Sequence, residues 1–184
     1  MRKANKTIYN RSTRESRERI RVGYISPDIT GSQLLAFLML DLFHRHNNTM
    51  FEVHVYSLSN FDGSPEVKAI RNGTDFFHLI LPPYSLQNLA SQIKNDKLDV
   101  MIDLCGHAGT STIMELMSCH LAPVQISFMG FPASSGATDY MDYMITDSIV
   151  TPPCNPFIRK EYTEKLILMP HCYFVQLPDE AQKV

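Results

Sequence analysis

Apolar and polar positions along this chain switch repeatedly between two rhythms. Ile20-Arg-Val-Gly-Tyr-Ile-Ser26 is a β-branched run closed by Pro27-Asp28, and Phe51-Glu-Val-His-Val-Tyr-Ser-Leu58 alternates as a strand does. Phe76 to Leu81 reads as a strand stopped by Pro82-Pro83. Leu98-Asp-Val-Met-Ile-Asp-Leu104 is nearly continuous and apolar, the pattern of a strand buried on both faces. Val124-Gln-Ile-Ser-Phe128, Tyr143-Met-Ile145 and Leu166-Ile-Leu168 are shorter strands. Between them lie helical stretches. Residues 32–46 lack Gly and Pro and are rich in Leu, Met and Phe, which predicts a buried helix. Residues 64–72 make a short one. Leu86, Leu89, Ala90 and Ile93 share a helical face, and a further helix is predicted near 110–119. Strands alternating with helices predict βαβ units, hence an α/β domain with a Rossmann-like, mostly parallel sheet and flanking helices.

Composition narrows the picture. Residues 1–19 are almost all polar, with Arg11, Arg14, Arg17 and Arg19 among acids, and read as a linker or tail before one folded lobe over 20–184. A formal net charge of −2 gives no global basic field for nucleic acid or an anionic membrane. No apolar run approaches the roughly 18 residues of a membrane helix, and no secretory leader is evident. Cys105, Cys119, Cys154 and Cys172 show no C-x-x-C spacing, so neither a metal site nor a disulfide framework is expected. A reducing compartment, cytoplasm or nucleus, is the expectation.

In an open α/β sheet ligands gather beyond the carboxyl ends of the strands. Three stretches fall there. Ser26-Pro-Asp-Ile-Thr-Gly-Ser32 has a single glycine and is no dinucleotide fingerprint. Asp103-Leu-Cys-Gly-His107-Ala-Gly-Thr110 pairs a carboxylate with a histidine between glycines, Gly106 and Gly109, that permit close approach of another molecule. A neutral imidazole can take up or relay a proton near pH 7, and a carboxylate can fix its tautomer. Spacing alone favours the plainer reading, in which Asp103 caps a turn or the next helix and His107 is a polar loop residue. Met129-Gly-Phe-Pro-Ala-Ser-Ser-Gly-Ala137 is a flexible loop with small hydroxyl residues. His171, after a strand and Pro170, is equally open to a cleft or a structural role. Cys105 is a possible nucleophile at a position where cysteine is more often buried. His44, His46 and His120 read as helix-end residues, and His54 and His78 as strand residues needing a hydrogen-bond partner.

Taken in order, the segments resemble a known family. Arg19-Ile-Arg-Val-Gly-Tyr-Ile-Ser-Pro-Asp28, Phe51-Glu-Val-His-Val-Tyr56, Asp99-Val-Met-Ile-Asp-Leu-Cys-Gly-His107, Leu121-Ala-Pro-Val-Gln125, Gly130-Phe-Pro-Ala-Ser-Ser-Gly136, Met141-Asp-Tyr143, Thr146-Asp147, Tyr162-Thr-Glu-Lys-Leu166 and Met169-Pro-His171 are similar to the protein O-GlcNAc transferase and SPINDLY-type glycosyltransferases. The resemblance implies the amino-terminal lobe of a GT-B catalytic region, often preceded by tetratricopeptide repeats. It implies inverting transfer of N-acetylglucosamine from UDP-GlcNAc to Ser or Thr of intracellular proteins, with no metal or cofactor; an O-fucosyltransferase of the SPINDLY type shares these motifs. His107 and Asp103 then match residues of the active-site cleft. Gly130, Phe131, Pro132, Ser134, Ser135, Gly136 and His171 line its substrate side.

Two departures from the family pattern matter. The family's His-Pro pair, whose histidine is a candidate base, is Ser32-Gln33 here. The nucleotide sugar is held chiefly by a carboxyl-terminal lobe that is expected to lie outside this chain. A divergent, non-catalytic binding module is therefore the alternative expectation.

Overall fold

The structure is a computed structural model that describes residues 18–108 and 112–175. Gly109 and Thr110, the end of the histidine-bearing stretch, and the tail up to residue 17 lie outside the described residues. The elements run β1 Ile20–Ser26, α1 Leu34–Met39, a 3-10 turn at Phe43–Arg45, β2 Phe51–Ser57, α2 Pro65–Asn72, β3 Phe76–Leu79 and α3 Leu86–Asn95. Then follow β4 Val100–Asp103, α4 Thr112–Ser118, β5 Val124–Ser127, β6 Tyr143–Asp147, α5 Pro156–Lys160 and β7 Lys165–Met169. All seven strands join one parallel sheet in the order β3-β2-β1-β4-β5-β6-β7.

Strand alternation supplies two cores, one on each face. Val22, Tyr24, Val53, Val55, Ile102 and Leu104 pack against Ala36, Met39, Val67 and Ile70 of α1 and α2. Ile25, Tyr56 and Met101 point the other way, onto Leu89 and Ile93 of α3 and Ile113, Leu116 and Met117 of α4. Covering both faces is what a parallel sheet requires. Where the order turns back, β1 and β4 lie side by side, with Ile25 opposite Asp103. Their connections leave on opposite faces, so a crevice opens beyond their carboxyl ends.

Local chemistry sets the boundaries. Ser64 caps α2, its hydroxyl accepting from Val67 N–H, and Pro65 takes the first helical position, where a missing N–H costs nothing. Ser85 caps α3 in the same way.

One expectation needs correction, and two features were not foreseen. Residues 32–46 are a short helix followed by a 3-10 turn, with Leu34 and Phe37 exposed (69% and 38%). High apolar content concealed the break at Leu40–Leu42. α5 was unforeseen: five residues hold no periodicity, and its only signal is Asn155-Pro156, where the Asn155 carboxamide accepts from Phe157 N–H and Ile158 N–H. β5 and β6 are parallel, yet residues 128–142 join them without a helix. In addition, Arg19 is no tail residue, because its guanidinium bonds Asp75 at 2.6 Å and Glu52 at 3.2 Å on the sheet edge.

Candidate active site

The crevice is built from three strand ends. β4 runs into Asp103, which is 1% exposed, and its Oδ1 accepts from Cys105 N–H at 2.8 Å and Gly106 N–H at 2.9 Å. These bonds wind the chain into an Asx turn, with Gly106 in the left-handed region at φ +56°. A side chain at Gly106 would also strike Phe131, whose Cβ lies 2.6 Å from the position a Cβ would take.

β5 ends in a strained turn. Phe128 N–H still pairs with Asp103 O at 2.9 Å, but Gly130 N–H then folds back onto Phe128 O, and Met129 adopts φ +66°. That is the geometry of the rare γ-turn with positive φ. It presses Gly130 against the Leu104–Cys105 backbone, so that an added Cβ would lie 2.0 Å from Leu104 O. Strain of this kind persists only where surrounding structure enforces it, and it clusters at functional sites.

The two loops meet at His107. Its exposed ring stands edge-on to Phe131, with centroids 5.3 Å apart, and its Nε2 lies 2.8 Å from Ser135 O. A carbonyl oxygen only accepts, so the hydrogen-bond network assigns the proton to Nε2 and leaves the lone pair of the neutral ring on Nδ1. The partner that fixes the tautomer is thus Ser135, not Asp103. Asp103 spends one oxygen on its own loop, while Oδ2 is buried and has no hydrogen-bond partner among the described residues. Burial pushes the Asp103 carboxyl up, against the opposing pull of the Gly106 and Cys105 amides and of His107. The turn-capping reading of Asp103 is the one the geometry shows.

Ser135 is itself held from a distance. Glu164, immediately before β7 and 1% exposed, accepts from Ser135 N–H at 2.7 Å, from the Ser135 hydroxyl, and from the Ser134 hydroxyl at 2.8 Å. Burial pushes the Glu164 carboxyl up, but the bonds from Ser135 and Ser134 outweigh it and hold it below its ordinary 4.5. Glu164 is a positioning residue that sequence reasoning missed, although it stands inside the quoted Tyr162-Thr-Glu-Lys-Leu166. A depressed carboxyl stabilises the native state above its unfolded value, and that stabilisation is lost as pH falls through the folded one. Glu164→Ala is therefore expected to cost about 1.5–3 kcal/mol at pH 7. The loss should shrink in acid when denaturant midpoints are compared across pH.

Asp28, at the end of β1, is the second missed residue. It is half-buried, its carboxyl is pushed up by burial, and its charge helps raise the Cys105 thiol. Burial, Asp103 and Asp28 together drive that thiol to about 12, and Cys105 Sγ donates to Ala108 O, so Cys105 is no nucleophile.

The remaining positions divide. Ser134 and Gly136 lie beside Ser135, with Gly136 at φ +68° and its N–H on the Ser134 hydroxyl at 3.2 Å; Pro132 is exposed on the same loop. His171 is not brought in. It follows β7, the edge strand, with β5 and β6 between it and β4. Ser32, at the family's histidine position, is exposed with its hydroxyl 3.0 Å from that of Thr30. Gln125 is structural. Its carboxamide accepts from Leu121 N–H and donates to Met117 O and Tyr140 O, sealing α4 to the loop before β6.

Comparison with known proteins bears on this geometry. Residues 1–182 match glycosyl transferase family 41. The chain belongs to that family. Among its relatives, the probable UDP-N-acetylglucosamine–peptide N-acetylglucosaminyltransferase SEC of Arabidopsis thaliana is 38% identical over 90% of this chain and 16% of its own length. The UDP-N-acetylglucosamine–peptide N-acetylglucosaminyltransferase of Caenorhabditis elegans is 32% identical over 90% and 14%. An O-GlcNAc transferase mutant from Thermobaculum terrenum superposes with a TM-score of 0.76 at 24% identity, over 88% of this chain and 30% of that one. The parallel sheet thus has the Rossmann-like fold seen in the GT-B class, and the chain spans about a sixth of the length of the curated relatives it matches.

Proposed function

We propose that this chain supplies the acceptor side of a protein O-glycosyltransferase, working by inverting transfer of N-acetylglucosamine from UDP-GlcNAc to Ser or Thr hydroxyls of cytoplasmic or nuclear proteins. The observation that carries this reading is His107. Its ring is exposed at the strand ends, and the Ser135 carbonyl holds the Nε2 proton, which leaves Nδ1 as a proton acceptor. Transfer to a hydroxyl needs such an acceptor as the oxygen attacks the sugar carbon and the diphosphate departs. The names of the family 41 relatives supply the donor and the peptide acceptor.

The same loops support a division of labour. Stretches 26–32, 103–108 and 128–139 carry acids and hydroxyls but neither Lys nor Arg. Such surroundings suit a sugar and a hydroxyl, whereas a diphosphate needs cationic or amide donors supplied from elsewhere. The test combines the chain with the co-expressed remainder of a family 41 catalytic region and offers radiolabelled UDP-GlcNAc with a Ser/Thr peptide. Label on the peptide supports the reading. Label from GDP-fucose alone would instead assign an O-fucosyltransferase. A folded, associated pair inert with both donors points to the second reading, a non-catalytic binding module, which Ser32 in the family's histidine position favours.

A further inference from the structure

A second cluster of polar groups lies on the α3 face of the sheet, at its β2–β3 edge, and the proposed transfer reaction makes no use of it. His54 of β2 and His78 of β3 face one another diagonally across the strand pair, with Nδ1 of the first 3.3 Å from Nε2 of the second. Asp96, which closes α3, joins them, and one donor atom from each of the three lies within 4.8 Å of the others.

The surroundings orient all three. His54 is 4% exposed, and its Nε2 lies 3.0 Å from Glu52 Oε1. A carboxylate only accepts, so Nε2 carries the proton of the neutral ring and Nδ1 presents its lone pair to His78. A carboxylate behind an imidazole in this way is the usual outer support of a metal-binding histidine. Phe76 stacks on His54 with centroids 4.6 Å apart, and Tyr56 on His78 at 4.5 Å, so both rings are held in place. The Tyr56 hydroxyl donates to Asp96 Oδ2 at 2.7 Å and leaves Oδ1 for another partner.

We propose that His54 Nδ1, His78 Nε2 and the Asp96 carboxylate bind one zinc-class divalent cation, with water completing a tetrahedral shell. Two nitrogens each about 2.0–2.1 Å from a tetrahedral ion stand about 3.4 Å apart, close to the separation already present. The ion takes the place of the proton between the rings. The His78 proton moves to Nδ1, so both imidazoles stay neutral, and Asp96 closes in by side-chain rotation at the helix end. Two imidazoles and a carboxylate suit zinc over magnesium or calcium, which favour all-oxygen shells. The charges facing the site are Glu52, Asp75 and Asp96 against Arg19 and Arg21. Both arginines are already paired, Arg21 with Glu52 at 2.8 Å and Arg19 with Glu52 and Asp75, so they oppose the cation only weakly. Bound there, the ion would pin the β2–β3 edge to α3 without touching the transfer loops.

The test is calorimetric titration of the 184-residue chain with zinc chloride, repeated with cobalt(II) to read the visible bands of a tetrahedral ion. One ion per chain is expected, with no binding of magnesium and a melting temperature that rises with zinc. His78→Ala and Asp96→Asn, both at partly exposed positions, should abolish or severely weaken binding, and Glu52→Gln should weaken it roughly 10–100-fold. A His171→Ala/Cys172→Ala double variant should bind as the parent does. Circular dichroism checks folding. Should His78→Ala fail to fold, Asp96→Asn and zinc-induced shifts of the His54 and His78 ring resonances decide in its place. Absence of zinc binding, or binding unchanged by both His78→Ala and Asp96→Asn, overturns the proposal.

Discussion

Gly130→Ala is expected to destabilise the lobe by about 3 kcal/mol or more, at the top of the range for overpacking a rigid site. The obstruction is backbone. The new Cβ would stand 2.0 Å from Leu104 O and 2.8 Å from Cys105 Cα, with no flexible side-chain end able to give way. Relief requires either separating the β4 and β5 loops or unwinding the γ-turn at Met129, and both dismantle the platform under His107. Gly136→Ala is the control. Gly136 lies at φ +68° with nothing within 4 Å of an added Cβ, so it should incur only the left-handed backbone penalty of about 1–2 kcal/mol. Thermal melts of the two variants decide the matter, since each kcal/mol moves the midpoint by roughly 2–4 °C in a chain of this size. A Gly130→Ala midpoint at or above that of Gly136→Ala would sink the argument.

This comparison also shows what the sequence could reveal. β1, β2 and β4 were legible because apolar alternation or a continuous apolar run ends at Pro, Gly or a polar residue, and burial on both faces favours such runs. The loop after β5 was legible as a stretch of small and hydroxyl residues between two strands, and the structure packs it onto the β4 loop at Gly130. Which acceptor a carboxylate serves was not. Asp103 and His107 are four residues apart, yet the amides two and three positions along the chain reach Oδ1 and the imidazole does not. Glu164 acts on Ser135 from 29 residues away, a pairing set by β6 and β7 lying in register beyond β5. Periodicity carries no information at that range. The family motifs recorded these contacts without saying which were chemical. Gln125 and Asp147 are buried hydrogen-bond hubs, Asp147 accepting from Ile149, Val150 and Tyr173 N–H.

The same distinction sets the expectation for His107. In the complemented transfer assay, His107→Ala should lower kcat by about 10²–10⁴-fold, the usual worth of a positioned general base, with KM little changed. Its ring is exposed, so the variant should melt as the parent does. Added imidazole should restore part of the rate, because the void beside Phe131 admits a ring and Ser135 O remains to orient it. A purely structural histidine would show no such rescue. Glu164→Gln separates positioning from chemistry, since it keeps the acceptor geometry around Ser135 while removing the charge that strengthens those bonds. It should reduce kcat far less than His107→Ala does, and imidazole should not rescue it. A His107→Ala rate within twofold of the parent would move the base elsewhere. The next group to test is then Asp28, whose half-buried carboxyl is pushed up by burial on the β1 side of the crevice.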